Sequence, residues 1–378
     1  MKKVFILTGE SSGELYGALL SRSLKKRWND IRILGVGGER MRREGVEIIA
    51  GISGAFGVVE LVSSLKKIKE TFRTVVRTIT AEKPDVVVLI DFPDFNIKVA
   101  KAVRSTGAKI LYYVSPQVWA WRRKRVHTIA EISDYVAVIL PFEQEYYRDT
   151  HAKCEFVGHP IFEEFEADLS KRGAVKDSLG LKNDKPVLAL LPGSRDSELS
   201  RLLPVMRGFI GMFQPHYPDY QLIMPIAPNV DKTRYGSHFD ALASQGVRLV
   251  DGESVKVLST SDLAVVASGT AALQAAFLGI PLVVVYKLFP LTYFLGKMIV
   301  QVKYVNLVNI MQNEMVIKEL LQKQANPRNI FQEVERMITD THHRELLLGK
   351  FRQVRSLFDN KHASERVGAI IGELAGWK

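Results

Sequence analysis

The chain has a single cysteine, Cys154, among 378 residues. A lone thiol excludes an internal disulfide and a cysteine metal cage, and it fits a reducing compartment. The eight histidines show no metal-ligand spacing, and His342-His343 reads as exposed helix surface. No Asp-x-Asp pair is present. A metal-dependent sugar transferase would use one, so neither a metal nor a cofactor is expected. A Gly-x-Gly-x-x-Gly fingerprint is also missing, since Gly35-Val36-Gly37-Gly38 has neither its spacing nor its placement. That weighs against a nicotinamide dinucleotide. Long apolar runs are absent: the richest stretch, Pro281 to Val300, is broken by Lys287, Pro290 and Lys297. The opening MKKVFILTGESSGE starts like a signal peptide, but its apolar run is too short and reads as a first strand.

What the chain has in excess is positive charge. Lysine and arginine number 52 against 41 acidic residues, a formal net charge of +11. Nucleic acid, anionic lipid and a negatively charged substrate all gain from such a surface. The remaining composition, 47% hydrophobic and 25% charged, is that of an ordinary folded protein, and the length favours two domains.

Short apolar runs alternate with helix-length segments. Strands are expected at 3–8, 32–36, 85–91, 109–115 and 135–140, then at 187–191, 221–226, 247–250, 262–267 and 281–286. Between the two series lies an acidic, polar stretch after Gly158-His159-Pro160, where the domain boundary is placed. The expected organisation is an α/β domain over 1–165, a second over 166–340, and C-terminal helices over 341–378. From Glu314 onward the pattern reads as helical. Apolar residues recurring from Leu61 to Ile79, flanked by Lys66, Lys67, Lys69 and Arg73, describe an amphipathic helix. Its plain reading is a core-packed helix; its sharper one is a surface meeting lipid.

The chemistry gathers at strand ends. In an open parallel sheet these ends share the crevice where ligands bind. Glu10, Asp91 and Asp94 all lie there in the first domain, Asp91 as the strand-end group and Asp94 as a cap for the next helix. Ser115 to Arg125 (SPQVWAWRRKR) adds two indoles and four consecutive cations. The indoles suit stacking on a sugar or packing in the core, and the cations suit phosphate. The run is compact and tied to a strand end, which disfavours nucleic acid. In the second domain Gly193, Ser194 and Arg195 end the first strand, and Ser268, Gly269 and Thr270 end another. Exposed amides, a hydroxyl and a guanidinium at helix starts form an anion site, and two such loops suit a pyrophosphate. Gln274, one turn on, suits a contact to ribose hydroxyls or, equally, a solvent-facing glutamine.

Several segments together carry a resemblance. GESSGELYGA (9–18), IDFPDFN (90–96), YYVSPQVWAWRRKRV (112–126), LPFE (140–143), GHP (158–160), LPGSRDSE (191–198) and SGTAAL (268–273) resemble, in order, the lipid-A-disaccharide synthase family. That resemblance implies a GT-B fold, two Rossmann-like domains with an interdomain cleft and a helical C-terminal segment. The first domain would take the acceptor and the second the UDP-sugar. It also implies inverting transfer of 2,3-diacylglucosamine from UDP to 2,3-diacylglucosamine 1-phosphate, giving a β-1,6 disaccharide. Asp91 would be a candidate base with Glu10 and Ser12 near it, Arg195 an essential arginine and Asn309 an important asparagine. Gln274 and Met315 stand where relatives often carry glutamate. A homodimer, cytoplasmic and peripheral on the inner membrane, is implied too. The rival readings are another GT-B enzyme using UDP-N-acetylglucosamine, and a non-catalytic nucleotide- or nucleic-acid-binding protein.

Overall fold

The computed structural model describes residues 1–51, 61–164, 172–289, 293 and 302–377. These fall into two compact units, Met1–Glu163 with Asn360–Lys378, and Glu164–Asp359.

The first unit is built on seven parallel strands: β1 (Lys2–Leu7), β2 (Ile31–Gly37), β3 (Glu47–Gly51), β4 (Val86–Ile90), β5 (Lys109–Tyr113), β6 (Tyr135–Val138) and β7 (Lys153–Phe156). Their order across the sheet is β3-β2-β1-β4-β5-β6-β7. The unbroken apolar runs VFIL and VVVLI form its centre because a parallel sheet covered on both faces has no polar side. Val4–Leu7 and Val86–Ile90 are accordingly at 0% exposure.

The second unit repeats the plan with β8 (Val187–Leu191), β9 (Gln221–Ile226), β10 (Val247–Asp251), β11 (Leu263–Ala267), β12 (Leu282–Tyr286) and β13 (Glu319–Leu321), ordered β10-β9-β8-β11-β12-β13. This sheet too is parallel throughout. In each unit the strand order reverses once, between β1 and β4 and between β8 and β11. Those reversals are where doubly wound sheets open a crevice for ligands.

Ten strands match the sequence expectation. The three it missed, β3, β7 and β13, are all sheet edges. An edge strand is covered less completely, so its residues need not form an apolar run. β13 also corrects the expectation of unbroken helix after Glu314.

The helix Leu61–Glu82 settles part of the amphipathic stripe. Val75 and Ile79 are buried in the first unit's core, with Ile68, Phe72 and Val76 packed against it. That portion is a core-packing face, not a lipid surface. Residues 58–60 and the side chains of 61–66 lie outside the described residues, as does most of 289–304.

The C-terminal segment divides. The helix Thr341–Ser356 packs on Thr270–Phe277 and Pro327–Thr339 in the second unit. The last helix, Ala363–Ala375, packs on Ser11–Arg27 in the first. There Gly372 lets the Trp28 ring approach: a Cβ at Gly372 would sit 2.9 Å from it.

Candidate functional site

In the first unit, β1 and β4 run side by side, with Leu7 opposite Leu89, so the loops following them are neighbours. The β1 loop carries Glu10, exposed at the start of the helix Ser11–Arg27, and half-buried Ser12. The β4 loop carries Asp91, half-buried. Gly9 lets the two loops meet, since a Cβ there would fall 2.3 Å from the Phe92 ring. Phe92 in turn stacks on Phe95, with ring centroids 5.5 Å apart.

Asp91 and Phe92 both adopt left-handed backbone, φ 47° and 46°. Without a glycine, each costs on the order of 1–2 kcal/mol. What holds the turn is a clamp on the Asp91 backbone. Its carbonyl accepts from Asn96 Nδ2 at 2.7 Å and from the Tyr112 hydroxyl at 2.9 Å. Its N–H donates to the Val114 carbonyl at 3.2 Å. Asn96 and Tyr112 are fully buried. Burial first, and then the charge of Asp91, push the Tyr112 hydroxyl up, so it stays a donor. Val114, at the end of β5, is itself left-handed at φ 62°, an outlier for a β-branched residue. Strained residues thus cluster at two adjacent strand ends, as they do at sites where geometry is imposed for function.

The aromatic and basic run after β5 separates into two roles. Trp119 is buried, its Nε1 donating to Glu143 Oε1 at 3.0 Å. Trp121 is 37% exposed and lies against two guanidiniums, Arg122 at 4.5 Å and Arg125 at 5.5 Å from its ring. Glu143 is buried, and its other oxygen accepts from the Ile139 and Leu140 amides at 3.1 and 2.9 Å. Burial raises its carboxyl to about 7, against the pull of these three donors, with the charge of Asp91 adding to the rise. Sequence reading did not single out Glu143 as a site residue.

In the second unit the loops after β8 and β11 are likewise neighbours, Leu191 lying opposite Val266. Gly193 is left-handed at φ 98°, and a Cβ on it would collide with Glu198. Here one expectation needs correcting. The Ser194 and Arg195 amides do not point outward as an open anion cradle; both donate to Glu198 Oε2, at 3.0 and 3.3 Å. Glu198 sits three residues into the helix Asp196–His216, the spacing from which a carboxylate reaches back to the helix start. The Ser194 carbonyl is held by Asn229 Nδ2 at 2.8 Å. Exposed at this loop are Ser194 and the Arg195 guanidinium, whose side chain is 62% exposed and whose Nη1 lies 3.7 Å from Glu198 Oε1.

Ser268 and Thr270 are half-buried and Gly269 is exposed. Gly269 has φ 155° and ψ −159°, a conformation essentially reserved for glycine, and a Cβ there would meet nothing within 4 Å. That leaves open space in front of the helix Thr270–Phe277. Gln274 is buried on this helix.

Asn309, expected at the catalytic centre, is fully buried and turned inward. Its Nδ2 donates to the Ile317 carbonyl and to Glu319 Oε1, and its Oδ1 accepts from the Ile317 amide, each at 2.8 Å. Both amide protons are consumed. Buried Glu319 also accepts from the Val305 and Asn306 amides. These bonds tie the helix Leu307–Gln312 to the start of β13. Exposed Met315 and Glu314, which pairs with Lys350 at 2.6 Å, lie in the intervening turn.

Among the described residues no three His, Cys, Asp or Glu side chains converge as metal ligands would. No helix among them is long and apolar enough to cross a membrane.

Comparison with known proteins matches this arrangement to a family. The model of lipid-A-disaccharide synthetase covers residues 4–368. Lipid-A-disaccharide synthase of Coxiella burnetii (strain CbuG_Q212) is 36% identical over 377 residues, covering 99% of this chain and 98% of that protein. The enzyme of Myxococcus xanthus is 36% identical over 374 residues, covering 98% and 97%. Among solved structures, the S. aureus MnaA-UDP co-structure has a TM-score of 0.71 at 13% identity, covering 100% of this chain and 98% of that one. UDP-GlcNAc 2-epimerase from Neisseria meningitidis bound to UDP-GlcNAc gives 0.67 at 12%, covering 99% of each. At such identities these two establish the two-sheet GT-B fold alone. The sequence relatives establish more: the chain belongs to the lipid-A-disaccharide synthase family of glycosyltransferases.

Proposed function

We propose that this enzyme transfers 2,3-diacylglucosamine from UDP to the 6-hydroxyl of 2,3-diacylglucosamine 1-phosphate. The acceptor oxygen attacks the anomeric carbon and the bond from that carbon to the UDP oxygen breaks. The hydroxyl proton passes to Asp91, and configuration inverts in one displacement. Products are the β-1,6 disaccharide 1-phosphate and UDP. The observation that carries the assignment of roles is the Asp91 turn, a carboxylate kept at a strained strand end by a buried clamp. A general base must be held to the reacting proton within hydrogen-bond reach, and a rigid turn serves that.

On the second unit, Arg195, the Ser194 hydroxyl and the Ser268–Thr270 helix start would receive the departing diphosphate. Gln274, though buried, begins one turn from that helix start, and its role would be to orient the ribose. Glu10 and Ser12 would line the acceptor side beside Asp91. The acyl chains of both substrates and the net charge of +11 support peripheral contact with an anionic membrane; the cytoplasmic face and the homodimer rest on the family resemblance alone.

The test is product formation from UDP-2,3-diacylglucosamine and its 1-phosphate partner with EDTA present. Disaccharide phosphate and UDP in equal amounts support the reaction. UDP release with soluble N-acetylglucosamine acceptors, and none with the diacylated one, would instead support a different UDP-sugar enzyme.

A further inference from the structure

Four consecutive cations, Arg122 to Arg125, follow β5 in the unit that holds Asp91. Two are fixed in place. The Arg122 guanidinium lies 4.5 Å from the Trp121 ring, and the Arg122 backbone is left-handed at φ 54°. Arg125 rests on the same indole and is bonded to Asp94, its side chain only 15% exposed. Arg122 Nη1 approaches the same Asp94 oxygen at 3.7 Å. Asp94, by contrast, is 74% exposed. It sits in the first turn of the helix Pro93–Val103, three residues beyond Asp91. Both arginines lie on the Asp94 carboxylate, three residues on from Asp91, which places the pair of guanidiniums beside the loop of the candidate base.

These cations have no task in holding UDP if the diphosphate binds the second unit. Family membership gives the reaction a second anion, the phosphate of the glucosamine acceptor. We propose that Arg122 and Arg125, aligned on Trp121, form the subsite for that phosphomonoester, with the Asp94 carboxylate occupying it until the acceptor arrives. The inference rests on the reading of Asp91 as the acceptor-side base. Two guanidiniums sharing one oxygen of a carboxylate already present the donors that a phosphate oxygen would take. Fixing them on an aromatic ring reduces the ordering cost of binding. The phosphate would then position the sugar with its far hydroxyl directed towards Asp91.

The experiment compares acceptor carrying the 1-phosphate with the same sugar lacking it, both in neutral detergent micelles, for the wild-type enzyme, Arg122→Gln and Arg123→Gln. Arg122 is half-exposed, so its replacement leaves the fold intact; Arg125→Gln is the second variant, checked for folding by circular dichroism. Arg122→Gln should raise KM for the phosphorylated acceptor about 10- to 100-fold, the range of a lost charged hydrogen bond. KM for the donor and kcat should stay within about threefold, and the preference for the phosphorylated acceptor should collapse. Arg123→Gln should match the wild type. Equal losses in Arg122→Gln and Arg123→Gln that vanish with added salt would overturn the subsite in favour of a diffuse lipid-surface role. A retained preference in Arg122→Gln and Arg125→Gln would overturn it as well. If the wild type makes no disaccharide from either acceptor, the reading of the reaction itself fails, which is a distinct result.

Discussion

Replacing Asp91 by asparagine, glycine and alanine should separate the backbone cost of its turn from its chemistry. At φ 47° a residue with a Cβ is strained by about 1–2 kcal/mol, with Asp and Asn at the low end because their short polar side chains tolerate this region. Glycine escapes the strain but loses about 0.5–1 kcal/mol more chain entropy on folding. The clamp from Asn96 and Tyr112 grips the backbone carbonyl, so every variant keeps it. Asp91→Asn should therefore stay within about 0.5 kcal/mol of wild type. Gly and Ala lose the same side-chain interactions, so their difference isolates the backbone. Asp91→Gly should exceed Asp91→Ala by roughly 1 kcal/mol. Activity should not follow that order: all three variants should lose turnover by about a hundredfold or more, with UDP binding nearly unchanged. Urea unfolding midpoints at constant slope give the stabilities, and steady-state transfer gives the rates. An alanine variant as stable as the glycine one would refute the strain argument. Asp91→Asn turning over at the wild-type rate would remove Asp91 from the base role.

Asn309→Ala deletes three buried hydrogen bonds and strips a partner from buried Glu319, so it should destabilise the protein by about 2–4 kcal/mol; thermal unfolding checks this, and unchanged stability with lost activity would return Asn309 to a substrate-contacting role. Glu143 predicts a pH effect whose sign is fixed by its raised carboxyl. Folded, it holds its proton to about 7, whereas the ordinary value is 4.5. The folded chain therefore binds more protons between those values, so this contribution to stability is complete below pH 4.5 and is lost as pH rises to about 7. Wild type should lose roughly 1 kcal/mol more than Glu143→Gln between pH 6 and 8; parallel profiles for the two would show that Glu143 is already ionised at pH 6.

The central strands of both sheets were legible because a strand buried on both faces must be apolar throughout, as VVVLI and VLALL are. The edges were not. Glu47–Gly51 mixes charge with apolar residues because only part of its surface is covered, and Glu319–Leu321 is three residues long and opens with a buried glutamate satisfied by Val305, Asn306 and Asn309. Loop positions of candidate residues were legible too, since strand ends follow from the strands. Which groups face inward was not. Nothing in NLVNIM distinguishes an asparagine at substrate from one whose amide closes on Ile317 and Glu319, ten residues ahead. The Ser194 amide read as open from LPGSR alone; the carboxylate that takes it, together with the Arg195 amide, is Glu198, visible at capping-box spacing but not used. Glu143 and Trp119 become partners only through a fold that brings residues 24 apart together.

The four loops at the two strand-order reversals follow one rule with one exception, and the exception is the loop that carries the proposed base. Two residues beyond the end of β1, β8 and β11 stands a glycine: Gly9, Gly193 and Gly269. The last two have backbone angles that other residues rarely adopt, φ 98° and 155°, and glycine relieves the turn at no steric cost. Beyond β4 that place is taken by Phe92, and both Phe92 and Asp91 bear left-handed angles unrelieved. The space at Gly9 is what Phe92 fills, so the missing side chain of one loop seats the aromatic ring of the next. Where the proposed task of a loop is to present a hydroxyl, a guanidinium or a helix start to an anion, as after β8 and β11, glycine costs nothing in function. Where the proposed task is to hold a carboxylate against a reacting hydroxyl, Phe92 stands instead of glycine, and Asn96, Tyr112 and the Phe92–Phe95 stack keep the strained turn in place. On this argument a Phe92→Gly change should relax the turn yet slow transfer, because it removes the packing that fixes Asp91 while leaving the carboxylate itself untouched.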